Sequence, residues 1–204
     1  MFIYDRNNMP MSTKKPATER FPPLDMSALK GSQKIMADEL LAASKGYVGG
    51  PINALLRSPD MTRHLRPLIS YLNLDSSVPK RLNELAILIQ AKHWRQDYEW
   101  WAHYELAIKA GLARDVADQI KSGRRPDIMQ PDEAAVYDFC MELSQQHVVG
   151  DQTFDALKQH LNDQQIVDLI VVSGVYATLA MLLNVAEVAA PENAPTPSPG
   201  VKLN

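Results

Sequence analysis

Residues 79–103 read PKRLNELAILIQAKHWRQDYEWWAH, and this stretch decides the fold. Leu85-Ala86-Ile87-Leu88-Ile89 is an unbroken apolar run. Wound at 3.6 residues per turn, the run covers every side of a helix, so other helices must pack all round it. Ser77-Val78-Pro79 opens this helix with proline in its first turn, and it is expected to run to about His93. Trp94-Arg95 then makes a short turn into a second helix from Asp97 to Ala110, stopped by Gly111. The two should pack as an antiparallel hairpin.

Outward from the hairpin, helical periodicity dominates and strand alternation is scarce. Further helices are expected from Met26 to Ala43, ending near Gly46, and from Ile52 to Arg57 after the Gly49-Gly50-Pro51 turn. Others run from Pro59 to about Leu74, Arg114 to Lys121, Pro131 to about Gln146 and Asp151 to His160. Asn162, with Gln165 at the capping-box position, starts the last and longest. The fold class is therefore all-α, a compact array of about nine helices with short connections. No repeat of fixed period is visible. Residues 1–25 read as a flexible N-terminal arm, 26–190 as the helical domain and 191–204 as a flexible Pro-rich tail.

The 204 residues carry 46% hydrophobic and 22% charged side chains, an ordinary globular composition with room for a real core. The net charge is −3 with both signs mixed, and no basic stripe marks a nucleic-acid surface. Cys140 is the only cysteine, which excludes an internal disulfide and any dithiol redox pair, and suits a reducing cytoplasm. Polar Asp5, Arg6 and Asn7 stand where a secretory signal needs an apolar core. LIVVSGVYATLAMLLNVA, residues 169–186, is the one membrane suspect. Asp168 and Glu187 bracket it without a basic flank, so a helix buried in the core or between subunits is the expectation, not a membrane span.

Two groups on the hairpin point to chemistry. Glu84 shares its helix face with Ile87, Leu88 and Ala91, so its carboxylate must find a partner or hold a proton. It is either one half of a structural ion pair, with an arginine such as Arg81, or a functional group. Gln96, Glu99 and His103 are spaced three and four apart and share a face that continues into Leu106, Ala107 and Ala110. His103 therefore points inward with Glu99 one turn away. A buried histidine beside a carboxylate is either a satisfied core residue or an acid/base group held in one tautomer. His93 is a weaker candidate for the same pocket, and Tyr98, Trp100 and Trp101 offer an aromatic wall whose default role is packing. Tyr176 and Asn184, on roughly one face of the last helix, are pocket donors or partners across a subunit seam. His64, His147 and His160 are expected at the surface. Two histidines and two glutamates suit zinc or iron in principle.

Together these residues resemble a known family. Glu84, then Gln96, Glu99 and His103, followed by LAIKAGL, is similar to the signature of carboxymuconolactone decarboxylase-like proteins of the alkylhydroperoxidase D superfamily. The resemblance runs from about Gly49 to Pro191 and takes in GGPINALLRSPD, ELAILIQAKHW, DYEWWAH, GRRP, DEAAVYDF and GVYATLAMLLN, most like a longer bacterial subgroup. It implies a helical fold and assembly into trimers or hexamers; it does not imply a metal, and no cofactor is expected. Peroxidase members place a Cys-x-x-Cys pair where this chain has Gln96 and Glu99, so a hydroperoxidase reading lacks its thiols. The decarboxylase members imply instead a cofactor-independent acid/base enzyme acting on a small organic acid or lactone. His103 would then donate or shuttle the proton and Glu84 or Glu99 would orient it, with Gln96, His93, Tyr98, Trp100, Tyr176 and Asn184 binding substrate. A non-enzymatic small-molecule binder is the third possibility.

Overall fold

A computed structural model of the chain describes residues 20–43 and 50–191. Among the described residues there are nine α-helices and no strand. They are α1 (Gly31–Ala43), α2 (Pro51–Leu55), α3 (Pro59–Leu74), α4 (Lys80–His93), α5 (Asp97–Lys109), α6 (Arg114–Lys121), α7 (Pro131–Gln146), α8 (Asp151–Lys158) and α9 (Asp163–Ala186).

Helix α4 is the axis on which the others are laid. Every residue from Leu82 to Ala91 is buried, and α5, α6, α7 and α9 all pack on it. This is the outcome the apolar run at 85–89 requires, because a helix without a polar side has no side to give to water. The main core gathers Leu85, Ile87, Leu88, Trp100, Val136, Leu169 and Val172, with Cys140 sealed among them. A smaller cluster joins α1 and α2 through Leu29, Met36, Leu40, Ile52 and Leu56.

Local chemistry sets the boundaries. Asn162 and Gln165 exchange side-chain and backbone hydrogen bonds at 3.0 and 2.9 Å, the expected capping box of α9. Gln96 caps α5, its Oε1 accepting from Tyr98 N at 2.7 Å. The turn from α4 to α5 is tight because Arg95 takes φ 54. Helix α1 starts later than the expected Met26: the Asp25 carboxylate accepts the Ser27 N–H at 2.9 Å, which folds 26–28 into a turn, and Gly31 at φ 56 delays the helix. Its expected end near Gly46 lies outside the described residues, as do positions 1–19 of the expected arm and 192–204 of the tail. Residues 20–24 are tied down, with Arg20 N bonded to Ala186 O at 2.9 Å and Asn53 Nδ2 to Phe21 O at 2.7 Å.

Two further links hold the site's neighbours in place. Buried Asp168 on α9 accepts from Tyr71 Oη, Ser77 N and Ser77 Oγ at 2.8–2.9 Å, clamping α9 to the end of α3 and the start of α4. Asn184 on α9 donates to Trp94 O at 2.7 Å and accepts from Gln96 Nε2 at 3.1 Å, clamping it to the hairpin turn.

Candidate active site

Helix α4 carries Glu84 into the interior, where it is 0% exposed. Helix α5 brings His103 to the same height of the hairpin, and its Nδ1 lies 2.8 Å from Glu84 Oε2. An ionised carboxylate only accepts hydrogen bonds, so Nδ1 carries the hydrogen and Nε2 is left for other chemistry. Lys80, one turn before Glu84 on α4, places Nζ 2.7 Å from Oε1 as an ion pair, outside hydrogen-bond geometry. It also donates to Asn73 O at 3.0 Å. Burial pushes the Glu84 carboxyl up, but His103 and Lys80 outweigh it, and the group is held below the ordinary carboxylate range. The buried pair is thus a carboxylate bridging an imidazole and a half-exposed ammonium. The His103 side chain is 14% exposed, so the imidazole reaches solvent whereas Glu84 does not.

Tyr176 on α9 closes one side. Its ring meets the His103 ring edge-on with centroids 4.9 Å apart. Its hydroxyl donates to Asn73 Oδ1 at 2.7 Å, and burial, then the charge of Glu84, holds that hydroxyl neutral far above the usual tyrosine range. Glu99 lies one turn from His103, 3% exposed, and neither of its oxygens has a hydrogen-bond partner. Burial alone pushes its carboxyl up to about 9. Glu84, not Glu99, therefore orients His103.

The other expected residues fall elsewhere. Arg81 is not the partner of Glu84: it binds Asp132 Oδ2 at 2.7 Å and also Glu133, at the start of α7. Gln96 and Asn184 spend their amides on each other and on backbone groups. His93 is exposed at the C-terminal end of α4, edge-on to Trp94. Nine residues at about 1.5 Å each separate it from Glu84 along the axis. Tyr98 packs on Trp101 with centroids 5.3 Å apart and lies over Gly50, whereas Trp100 points into the main core beside Tyr104. The aromatic residues thus divide between two faces of α5 and make no single wall. His64, His147 and His160 are exposed. Among the described residues no group of three or more His, Cys, Asp or Glu is arranged to hold a metal ion. Cys140 is fully buried, with Sγ 3.7 Å from Ser173 Oγ, and burial pushes its thiol up to about 12.

Two residues of the site had not been singled out from the sequence. Lys80 was legible as a Lys/Glu pair at i, i+4. Asn73, at the end of α3, carries no sequence signal, because only the packing of α3 against α9 brings it to Tyr176. An open surface depression lined by Lys158, His160, Asn162 and Asp163 lies between α8 and α9, away from these groups.

No family model matches the chain, and no curated protein matches it. Among solved structures it is similar to the alkylhydroperoxidase AhpD core of an uncharacterized peroxidase-related protein from Ralstonia eutropha JMP134, with a TM-score of 0.72 and 21% identity over 86% of this chain and 94% of that one. It is also similar to an uncharacterized peroxidase-related protein from Silicibacter sp. TM1040, with a TM-score of 0.68 and 15% identity over 88% of this chain and 95% of that one. At these identities the likeness shows the fold: the chain has the alkylhydroperoxidase D-like helical architecture.

Proposed function

We propose that the chain is a cofactor-independent acid/base enzyme on this helical scaffold, acting on a small organic acid or lactone by decarboxylation or a related proton transfer. The observation that carries the reading is the 2.8 Å contact between His103 Nδ1 and buried Glu84. It holds the imidazole in one tautomer and leaves Nε2 to donate or accept a proton at a carbon or oxygen of the substrate. Loss of carbon dioxide from a lactone carboxylate leaves electrons that must pass into a conjugated carbonyl, and the resulting enolate needs a proton returned. His103 returns it. Glu84 stabilises the imidazolium between steps, and Lys80 keeps Glu84 ionised.

Both similar structures are described as peroxidase-related, so a hydroperoxidase is the second reading. It needs a thiolate and a resolving thiol. On the resemblance, Gln96 and Glu99 take the dithiol positions, and Cys140 is sealed with its thiol protonated. That weighs against it. A non-enzymatic binder on the same scaffold would keep the dyad and turn nothing over.

We further propose a homo-oligomer, a trimer or hexamer, in a reducing compartment such as the cytoplasm. Helix α9 is the one described helix long and apolar enough to cross a membrane, with a mean hydropathy of 2.2 over its most apolar window. Just over half of that window, 56%, is buried. A core helix with an intersubunit face accounts for this without a membrane.

The test is turnover of a panel of small lactone carboxylates. His103→Ala is expected to lower kcat by at least about 100-fold, within the usual range for a general acid or base. Full activity in His103→Ala with a substrate of the wild type ends the reading.

A further inference from the structure

Glu99 is a side chain with nothing to do in the folded chain. Its carboxyl is buried at 3% exposure on the same face of α5 as His103, and both oxygens lack a hydrogen-bond partner. A buried polar group in that state costs stability, and folds keep such groups where a ligand uses them. Burial is what disfavours the ionised form, and the charged groups on the helices around it do not offset that burial. Helix α4 offers Glu84, itself anionic, and Lys80, already paired to it. Helix α5 offers His103, whose Nδ1 is committed to Glu84. Helix α9 offers Tyr176, which feels the fields of both Glu84 and Glu99, while Asp168 further along it is occupied by Tyr71, Ser76 and Ser77. An ionised Glu99 would be a buried negative charge whose oxygens have no hydrogen-bond donor, in a medium that screens poorly.

We propose that Glu99 stands as a neutral carboxylic acid and serves as the hydrogen-bond donor to an oxyanion, such as an enolate oxygen, bound beside His103. The proton stays on Glu99. It supplies a hydrogen bond, and His103 does the transferring. The division of labour follows from the contacts: His103 is tied to a carboxylate that stabilises its charged form, whereas Glu99 is tied to nothing and keeps its one O–H for an acceptor. A carboxylic acid in an apolar site is a strong donor to an oxyanion, because the bond is charge-assisted and water is absent. The ligand class is therefore a carbonyl compound whose oxygen becomes negative during reaction, delivered past the His103 imidazole. This deepens the acid/base reading and rests on it only for the identity of the ligand.

Infrared difference spectra with isotope-labelled glutamate test the protonation state. At neutral pH the wild type is expected to show the carbonyl band of a protonated carboxyl, absent in Glu99→Gln and fading as pH is raised through about 9. An ionised Glu99 at neutral pH overturns the proposal. Binding of 4-nitrophenolate at mildly alkaline pH, read by its absorbance, tests the donor. Glu99→Ala is expected to bind roughly 10- to 100-fold more weakly than wild type, the range for a hydrogen bond to a charged group. Glu99→Gln keeps an N–H donor and a similar volume, so it should fold like wild type by circular dichroism and recover part of the affinity. Equal affinity in wild type and Glu99→Ala, or no binding to the wild type, overturns the donor role. A protein with a neutral Glu99 that binds the phenolate but turns over no lactone carboxylate keeps this inference and loses the enzymatic reading.

Discussion

At the scale of single residues, the site rests on one carboxylate with two partners, an imidazole and an ammonium. Replacing Glu84 by Gln removes the charge but keeps the volume, and its amide N–H turned toward Nδ1 selects the other tautomer. Glu84→Gln is expected to slow turnover while leaving the fold intact, a smaller loss than His103→Ala causes, and steady-state kinetics on the two variants checks the order. The pH dependence has a definite sign. Because His103 and Lys80 hold Glu84 below its ordinary value, its contribution to stability is present above the unfolded carboxylate range and is lost as pH falls through the lower folded value. Acid unfolding should therefore narrow any gap between wild type and Glu84→Gln. Cys140 makes the opposite case. With its thiol sealed and protonated, Cys140→Ser should leave turnover unchanged and cost about 1–2 kcal/mol of stability, since a hydroxyl is harder to bury than a thiol. Loss of activity in a folded Cys140→Ser protein, measured on the same substrates, would restore a thiol mechanism. The inward aim of Glu84 and His103 was legible because each shares a helix face with apolar neighbours. The exposed position of His93 was not, since at a helix end the face alone does not say whether a side chain meets the core or leaves it.

At the scale of elements, the hairpin of α4 and α5 followed directly from the run at 85–89 and the short Trp94-Arg95 turn. The start of α1 did not, because the Asp25–Ser27 turn competes with the first helical turn through side-chain hydrogen bonds that periodicity ignores. The joint between α2 and α5 yields a sharp expectation. Gly50 sits at φ 62, ψ −134, and a Cβ there would stand 2.5 Å from the Tyr98 ring. Gly50→Ala is expected to destabilise by at least about 2 kcal/mol, combining backbone strain with that collision. Chemical denaturation of the variant measures it, and an unchanged midpoint would mean that Tyr98 and α2 are not joined this way.

At the scale of the whole molecule, the all-α architecture was readable because nine periodic segments with short links leave few alternatives. The clamps were not readable: Asp168 with Tyr71 and Ser77, and Asn184 with Trp94 and Gln96, pair residues about ninety positions apart. On the outer side of α9, Val167, Ile170, Met181 and Val185 remain exposed, and a Cβ at Gly174 would meet nothing. If that strip is an intersubunit face, light scattering at micromolar concentration should return a multiple of 22.8 kDa. A monomer there, with a normal helical spectrum, would contradict the proposed assembly.

The encasement of α4 has a consequence for how this protein fails. A site on a surface loop can melt by itself and re-form, so its activity fades gradually on warming while the rest of the molecule stays whole. Glu84 is not on such a loop: it is 0% exposed on a helix packed by α5, α6, α7 and α9, so its burial is tied to the packing of the core. The dyad thus has no half-open form of its own. Heat should leave it at full strength until the molecule as a whole gives way, and then take it all at once.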